Sequence, residues 1–465
     1  MSNEKVNYNN LDGSGAVTPP QSSSVEESGV DPVYEKKLIR RVDLHLIPIL
    51  AAIYSVSMID RTNISNAAIA GMMADLKLNV GDRYSIALLM FFIPYFLFEL
   101  PSNIVLRRVG SAVWLGSIAL AWGSVTIGMG FIYDWRILVV CRVLLGLFEA
   151  GFFPGSIYLI SSWYVRYEVQ KRLAGFYLLS IFIGGFTSLL SYGLMQMDGI
   201  QGLAGWRWIL IIANKLLQRR KPFLTESDIE IIKSRIDRDR EDSQADPLTW
   251  RVLGRHLSDW KLWVHALLFM SAAVPSYALA YFLPIILKGM GFSTGMSQIL
   301  SSLPYISAVV VAFSLAWWAD MTRVRAPFIV IGCLLIITGL SITAYSNSNA
   351  ARYFGLFLGA AGAQNNVPTL LAYQSNNIRT NSKRSVASAL QVGFGAIGGV
   401  FASTVYRQKD SPKYRNGLWA TMGCQFMTLL LVAFMTVYFK KKYRQQKEGT
   451  LDEPLEGHPE FTYTL

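Results

Sequence analysis

An arginine and a glutamate lie seven residues apart in the apolar stretch RVLLGLFEAGFFPG, residues 142–155. Seven residues make almost two helical turns, so Arg142 and Glu149 share a face, about 10 Å apart along the axis. Gly146 lies between them and leaves room for a neighbouring helix or a ligand. Arginine binds carboxylates bidentately, and a poorly solvated glutamate can take up a proton. The pair is a candidate for anion and proton binding; a structural ion pair with other helices is the alternative.

A second charged pair, Asp60 and Arg61, lies in the stretch MIDRTNISNA together with Asn63. A charged side chain at the centre of a bilayer costs at least about 2.5–3.5 kcal/mol, so such residues face a cavity or a partner. The alternative is that the apolar stretch ends at Met58 and that the pair lies among lipid headgroups. Against this alternative, the chain stays largely apolar through Ile69.

Further charges lie near the ends of apolar stretches. Glu99 precedes the basic pair Arg107 and Arg108, which favours a gating or loop-anchoring charge over a ligand. Asp320 and Arg323 lie at the edge of a later apolar stretch. We expect these two to hold helices together in one conformation, so all five residues are candidates for gating.

Amide side chains form another group of candidates. Gln364 and Asn365 lie in the middle of an apolar stretch, shortly before Pro368, and Gln391 lies in the next stretch. A proline leaves a backbone carbonyl without its partner, and nearby amides can satisfy it. These amides are therefore candidates either for substrate binding or for stabilising the helices.

The elements that must position these residues are membrane-spanning helices. Hydrophobic residues make up 52% of the chain and charged residues only 16%, against about 25% charged in soluble proteins. A helix needs about 20 mostly apolar residues to cross a bilayer, and eleven segments meet that length approximately. They are 43–67, 84–106, 111–133, 136–160, 173–196, 262–287, 297–318, 326–346, 351–373, 385–406 and 417–439.

Lysine and arginine collect in alternate gaps between these segments, which is typical of loops that face the cytoplasm. This distribution argues against nucleic acid as a partner, since a nucleic-acid-binding patch would lie on a soluble domain. It predicts that both termini are cytoplasmic. The resulting division is a disordered N-tail, an N-terminal bundle, a cytoplasmic central loop, a C-terminal bundle and a C-tail, at residues 1–33, 34–217, 218–261, 262–440 and 441–465.

The stretch WRWILIIANKLLQRR, residues 206–220, is needed to make the topology consistent. Five spans precede it, so a chain that starts inside would reach the basic central loop on the wrong side without a sixth crossing. Its helical part from Trp208 to Leu217 covers only about 15 Å, half the thickness of a bilayer. We interpret it as the stump of a sixth span, with a helix lying in the membrane interface as the alternative.

The two halves of the chain echo each other. KRLAGFYLLSIFIGG (171–185) and KRSVASALQVGFGAIGG (383–399) both place a basic pair before small residues and a double glycine. Parallel repeats of six spans are typical of transporters, with the substrate site near the midplane between the halves.

The motifs resemble a fungal member of the major facilitator superfamily. More narrowly, they are similar to the anion:cation symporter family of allantoate and nicotinate permeases, over about residues 34–445. The stretches that carry the resemblance are IDRTNISNA (59–67), FELPSNIVLRRVG (98–110), CRVLLGLFEAGFFPG (141–155), GWRW (205–208), NNVPTLLAYQSNN (365–377) and KRSVASALQVGFGAIGG (383–399). The chain departs from the family in its sixth helix, where roughly 15–20 residues are missing relative to the family pattern.

The resemblance implies an all-α fold of two pseudo-symmetric bundles, with eleven full spans and a truncated sixth. It implies a monomer that needs no cofactor or metal and imports a small organic anion with protons, through the lipid bilayer of the plasma membrane. Carried onto this chain, Arg61 and Arg142 would bind the substrate carboxylate, and Asp60 and Glu149 would carry the proton. Asn63, Gln364, Asn365 and Gln391 join the substrate-binding candidates.

Other classes of function have weaker support in the sequence. A membrane sensor on a transporter fold would usually carry a long cytoplasmic extension, and these tails are short. A membrane enzyme would need a catalytic group such as paired histidines, which the four scattered histidines do not suggest. An inactive product of a truncated gene is a further alternative, because of the shortened sixth span.

Overall fold

The computed structural model describes residues 32–164, 166–212, 250–407, 410, 414–451, 454–457 and 461–464. The regular structure of these residues is helical. In chain order the helices are α1 (Pro32–Ala67), α2 (Arg83–Val109), α3 (Ser111–Met129), α4 (Trp135–Glu149), α5 (Phe152–Trp163), α6 (Arg166–Gly185), α7 (Thr187–Met195), α8 (Gly205–Ile212), α9 (Trp250–Leu257), α10 (Trp260–Gly289), α11 (Thr294–Thr322), α12 (Ala326–Tyr345), α13 (Asn349–Asn376), α14 (Asn381–Val405) and α15 (Arg415–Lys447).

Each predicted span falls on one helix or on two consecutive helices. The span 136–160 is divided between α4 and α5, which meet at Gly151. A side-chain carbon at Gly151 would lie 1.7 Å from Ser102 Oγ, so only glycine allows α2 to pass this close. The span 173–196 is likewise divided between α6 and α7, at Phe186.

Eight helical segments of the described residues are long and apolar enough to cross a membrane. A shorter apolar helix covers Val113–Met129. The protein is therefore an all-helical, multi-span membrane protein, because such segments match the thickness of the hydrocarbon layer and satisfy their own backbone hydrogen bonds.

The helices form two halves, which we call the N-half (residues 32–212) and the C-half (residues 260–447). Helices α1, α2 and α7 of the N-half pack against α10, α14 and α11 of the C-half, respectively. Small residues permit the closest of these contacts: a side-chain carbon at Gly399 of α14 would lie 2.2 Å from the ring of Phe92 in α2. The faces of these six helices therefore define the interior between the halves.

The halves are joined most firmly at the helix ends that lie far from both termini. Beyond α1, a π-helical turn at Ala68–Met72 carries the carbonyl of Ile69, which accepts a hydrogen bond from Lys288 Nζ at 2.8 Å. Nearby, Gln298 donates to the carbonyl of Asn66, and Ser85 donates to that of Tyr406. These bonds close the interior at this end of the molecule.

Helix α8 contains the described part of the shortened sixth span. Trp206 Nε1 donates to Asp75 Oδ2 at 2.7 Å, and Arg207 donates to the carbonyl of Gly130 at 2.9 Å. The side chains of Trp206 and Ile209 have no exposed surface. These residues pack inside the N-half, which disfavours an interfacial helix for them, while residues 213–220 lie outside the described residues.

The predicted tails and central loop are described only in part. Residues 1–31 and 213–249 lie outside the described residues. Helix α1 begins at Pro32, and α9 and the start of α10 occupy the end of the predicted central loop. Helix α15 continues to Lys447, seven residues into the predicted C-tail. The segments 454–457 and 461–464, which we call the strap, then pack back onto the C-half.

Candidate functional site

A cavity of about 180 Å³ lies between the two halves. Aromatic rings form much of its wall: Tyr54, Tyr95, Phe153, Tyr177, Phe269, Tyr277 and Tyr305. The polar side chains in the wall are Arg61, Thr62, Thr187, Ser188, Ser276 and Gln364. Arg61 is the only charged side chain among the described residues that line the cavity. Among these residues, the guanidinium of Arg61 is therefore the group that would attract an anion.

Arg61 forms a buried ion pair with Glu149. Its Nε and Nη2 atoms donate to the same Glu149 oxygen, Oε1, at 2.8 and 2.5 Å. Ser57 Oγ donates to that oxygen as well, at 2.5 Å, and Arg61 Nη1 donates to the hydroxyl of Tyr277 at 3.2 Å. The guanidinium also lies 5.3 Å from the ring centre of Tyr95, within reach of a cation–π attraction. The arginine is thus held by Glu149, Tyr277 and Tyr95, while Ser57 holds the glutamate.

Helical periodicity explains how Glu149 reaches this site. Arg142, Gly146 and Glu149 all belong to the buried face of α4, which confirms that they share one side of the helix. A side-chain carbon at Gly146 would lie 2.1 Å from the carbonyl oxygen of Phe91. The small residue therefore serves the close packing of α2 and leaves no space for a ligand.

Arg142 does not line the cavity. Its side chain extends from α4 against α2. It is 1% exposed, its Nε donates to the carbonyl of Ala87 at 3.4 Å, and its guanidinium lies 4.8 Å from the ring centre of Phe91. Its Nη2 atom is buried without a hydrogen-bond partner among the described residues. No hydrogen bond or ion pair of the described residues joins Arg142 to Arg61 or Glu149, although both guanidinium groups lie over the ring of Phe91, at 4.8 Å for Arg142 and 5.5 Å for Arg61.

Asp60 and Asn63 also face away from the cavity. Asp60 Oδ2 accepts hydrogen bonds from Trp122 Nε1 at 3.1 Å and from Thr126 Oγ1 at 3.4 Å. One residue turns a helix by about 100°, so Asp60 faces α3 while Arg61 faces the interior. Asn63 accepts from Ser191 Oγ at 3.2 Å, and its Nδ2 lies 3.5 Å from the carbonyl of Ile209 in α8. Both side chains tie α1 to other helices of the N-half.

Among the amide candidates, Gln364 alone lines the cavity. Asn365 donates to the carbonyl of Phe328 at 2.9 Å. Gln391 donates to the carbonyl of Leu370 at 3.3 Å. These two amides therefore fasten neighbouring helices of the C-half, which is the structural alternative considered for them.

The gating candidates have different surroundings. Asp320 pairs with Arg325, while Arg323 is exposed and ends α11 with a left-handed backbone, φ 55°. Arg108 is exposed at the end of α2, and the side chain of Arg107 lies outside the described residues. Glu99 is buried, only 4% exposed, and its Oε2 atom has no hydrogen-bond partner in the described part of the chain.

Sequence reasoning missed the residues that complete the site. Tyr95 and Tyr277 hold Arg61 and Ser57 holds Glu149, but a serine or an aromatic residue within an apolar stretch is ordinary in a membrane helix and marks no site. Trp122 is equally inconspicuous as the partner of Asp60. A weak signal exists for Tyr277, since it shares the short stretch between Pro275 and Pro284 with other aromatic residues.

The two-half helical architecture with a cavity between the halves is typical of a membrane transporter. Residues 50–403 match the sequence profile of the Major Facilitator Superfamily, and the chain belongs to that superfamily. An uncharacterized transporter of Schizosaccharomyces pombe is 30% identical over 433 residues, 90% of this chain and 86% of that protein. A high-affinity nicotinic acid transporter of Saccharomyces cerevisiae is 26% identical, over 92% of this chain and 85% of that protein.

Solved structures agree on the fold. The xylose transporter XylE from E. coli, in its inward open conformation, is similar with a TM-score of 0.65 and 13% identity, over 84% of this chain and 95% of that chain. These comparisons identify a transporter and its architecture.

Proposed function

We propose that this protein imports a small organic anion together with a proton, by alternating access between its two halves. The observation that carries the proposal is the Arg61–Glu149 ion pair at the wall of the cavity. A buried guanidinium in an otherwise uncharged, aromatic cavity favours a carboxylate as the ligand, because its fork matches two carboxylate oxygens.

The pair couples the anion to the proton. In the structure, Glu149 Oε1 accepts hydrogen bonds from both Nε and Nη2 of Arg61. Protonation of Glu149 removes its negative charge and weakens this contact, so the two N–H groups become available to a substrate carboxylate. The converse also holds: a carboxylate bound to Arg61 replaces Glu149, which then holds a proton more readily. Proton and anion therefore favour each other's binding, as symport requires.

The aromatic wall narrows the class of anion. Rings such as Tyr54, Tyr177 and Tyr305 can stack on a flat solute. Ser188, Ser276 and Gln364 can hydrogen-bond to a polar atom on it. These groups favour a flat, ring-containing carboxylate such as nicotinate over a flexible aliphatic acid. The similarity to a nicotinic acid transporter supports the same choice of first substrate.

The proposal also covers the arrangement of the protein in the membrane. We propose eleven full spans and a shortened sixth, with both termini in the cytoplasm. We further propose that the protein is a monomer in the plasma membrane and uses no cofactor. The hydrogen bonds between the halves lie at the end far from the termini. With cytoplasmic termini, that closed end faces outward, and the described conformation is the one that exchanges solute with the cytoplasm.

Uptake by fungal cells that lack their own carboxylate permeases tests the proposal. We expect cells that express the chain to accumulate radiolabelled nicotinate, faster as external pH falls, and to stop when a protonophore is added. Arg61→Gln should reduce uptake by about 10- to 100-fold, the equivalent of one charged hydrogen-bonded contact. Uptake that ignores both pH and protonophore would refute proton coupling.

Arg83→Gln is the matched control for this experiment. It makes the same chemical change in the N-half, but Arg83 lies at the start of α2 over the ring of Trp135, outside the cavity. Its uptake should equal that of the wild type at equal surface expression. A protein that binds carboxylates but moves none of a panel of nicotinate, allantoate and benzoate would instead be a sensor.

The shortened sixth span leaves an inactive product as the competing proposal. Relative to the family pattern, the chain lacks much of a helix after Trp208, and we therefore expect low activity. Sequencing the transcript across codons 208–222 tests this directly. If no missing coding segment is found and the chain transports at a normal rate, the truncation hypothesis is wrong.

A further inference from the structure

Glu99 differs from the other buried carboxylates of the N-half. Asp60 accepts hydrogen bonds from Trp122 and Thr126, and Glu149 accepts three, two of them from Arg61. Glu99 is equally buried, at 4% exposure. Its Oε2 atom nevertheless accepts no hydrogen bond from the described part of the chain.

An ionised carboxylate in this position would be costly. Burying a charge without a partner costs several kcal/mol, and a neutral carboxylic acid costs much less. The side chain also lies within a membrane-spanning helix, where ionisable groups are rare unless they serve a function. The surroundings of Glu99 therefore suit a group that carries a proton, at least in this conformation.

Glu99 lies close to the candidate site. It follows Tyr95 by one turn of α2, and the ring of Tyr95 lies at the cavity wall, 5.3 Å from the guanidinium of Arg61. The charged and titratable groups that act on Glu99 are Arg61 of α1, Tyr95 of its own helix and Tyr277 of α10. Arg61 thus has a bonded carboxylate, Glu149, and a second carboxyl group nearby that it does not contact.

We propose that Glu99 is a second proton-carrying side chain, which holds its proton while Arg61 is paired with Glu149 and competes for Arg61 after losing it. This inference rests on the proposed proton symport and adds a residue to it. The proton leaves the carboxyl group of Glu99 for a water molecule, and no covalent bond between heavy atoms changes. Ionised Glu99 would draw the guanidinium away from the substrate position.

The pairing of Arg61 then depends on two protonation events. With Glu99 neutral and Glu149 ionised, Arg61 stays on Glu149, as in the structure. With both neutral, it is free to bind the anion. With Glu99 ionised, its carboxylate attracts the guanidinium of Arg61, and Arg61 therefore holds the anion less strongly. Glu99 would in this way adjust the external pH at which uptake begins.

Infrared difference spectroscopy of the purified full chain in lipid tests the protonation directly and needs no substrate. A pH titration should show the C=O stretch of a protonated carboxyl at neutral pH. That band should be lost in Glu99→Gln and shifted in Glu99→Asp. Asp75→Asn, which removes a carboxylate that binds Trp206 outside the cavity, is the control and should keep the band. A spectrum of Glu99→Gln that retains every carboxyl band of the wild type would overturn the proposal.

Transport supplies a second readout and separates the two proposals. In proteoliposomes supplied with nicotinate, Glu99→Gln should flatten the pH profile of uptake, whereas Glu99→Asp should restore a shifted profile. A residue that only packs would change the amount of uptake and leave the profile in place. If the wild type shows no proton-driven uptake of any carboxylate, the proposed function fails, while the infrared result still decides whether Glu99 holds a proton.

Discussion

The two halves of the protein differ in the buried charged side chains that they contain. Among the described residues, every buried aspartate, glutamate and arginine belongs to the N-half: Asp60, Arg61, Glu99, Arg142, Glu149 and Arg207. The buried polar side chains of the C-half are amides and hydroxyls, together with His265. Buried charged side chains are thus found in the N-half, whereas the buried polar contacts of the C-half are made by neutral side chains.

The first span of the C-half is also packed more tightly than the first span of the N-half. In the most apolar window of α10, 72% of the residues are buried, whereas in the corresponding window of the helix from Tyr34 to Asp75 only 44% are. Helix α10 packs against α13, α14 and α15 of its own half. The described part of the N-half has instead only the short α8 where a sixth full helix would pack. Because Arg61, the charged residue of the cavity wall, and its partner Glu149 belong to the N-half, changes there should affect transport most.

The largest effect is expected for Glu149→Gln, which removes the charge that holds Arg61. Glutamine resembles a permanently protonated glutamate, so Arg61 stays available to the anion but no proton can be released. We expect accumulation of nicotinate driven by a pH gradient to be abolished, while exchange of labelled for unlabelled nicotinate continues. In proteoliposomes, net uptake measures the accumulation of nicotinate and counterflow measures its exchange. Accumulation that survives would assign proton coupling to another residue.

Arg142→Lys should have a smaller but still large effect. The guanidinium bridges the carbonyl of Ala87 and the ring of Phe91, and lysine keeps the charge without the planar fork. We expect uptake to fall by about tenfold, or about 1.4 kcal/mol, with an unchanged melting temperature. Thermal unfolding in detergent and initial uptake rates check both parts. Normal transport by the lysine variant would mean that Arg142 is structural or acts as a point charge.

The smallest effect is expected at the strap, which packs onto the C-half. Glu456 bonds to Lys261 Nζ and Lys383 Nζ at 2.8 Å each, and Asp259 lies 2.7 Å from Lys383 Nζ. Thr464 N donates to Asn377 Oδ1 at 2.8 Å. Glu456→Gln should loosen the strap by about 1–3 kcal/mol, the value of a charged hydrogen bond, and leave uptake near normal.

Hydrogen–deuterium exchange at residues 461–464 measures this loosening. Burial alone would raise the pKa of Glu456, but Lys261 and Lys383 together hold it below its ordinary value. The ionised form is therefore the stabilising one. The strap should stay protected at neutral pH and begin to open only as pH falls below about 4, the ordinary range for glutamate.

The exposed pair Arg444–Glu448 supplies the control for the strap. Glu448→Gln makes the same change in a contact whose side chains are 82% and 51% exposed, and such pairs contribute little. We expect no change in exchange. Equal loosening in both variants would show that the strap responds to net charge and does not depend on its own ion pairs.

Much of the fold followed from the sequence because membrane helices must be apolar over a bilayer's thickness and satisfy their own backbone. All eleven predicted spans fall on helices, and the rotation of 100° per residue placed Arg142, Gly146 and Glu149 on one buried face. The superfamily was also evident from local motifs. The division of α4 from α5 at Gly151 was not, because it depends on contact with Ser102 of another helix.

Only the tertiary structure decided which charges meet. Asp60 and Arg61 are neighbours in sequence, yet one faces Trp122 and the other the cavity, because adjacent helical residues point about 100° apart and the packing of α3 selects between them. Arg61 and Glu149 lie 88 residues apart, and Lys261 and Glu456 lie 195 apart. Helical periodicity determines which residues share a face of one helix. The helix that this face contacts depends on how all the helices pack, and a local sequence pattern does not carry that information.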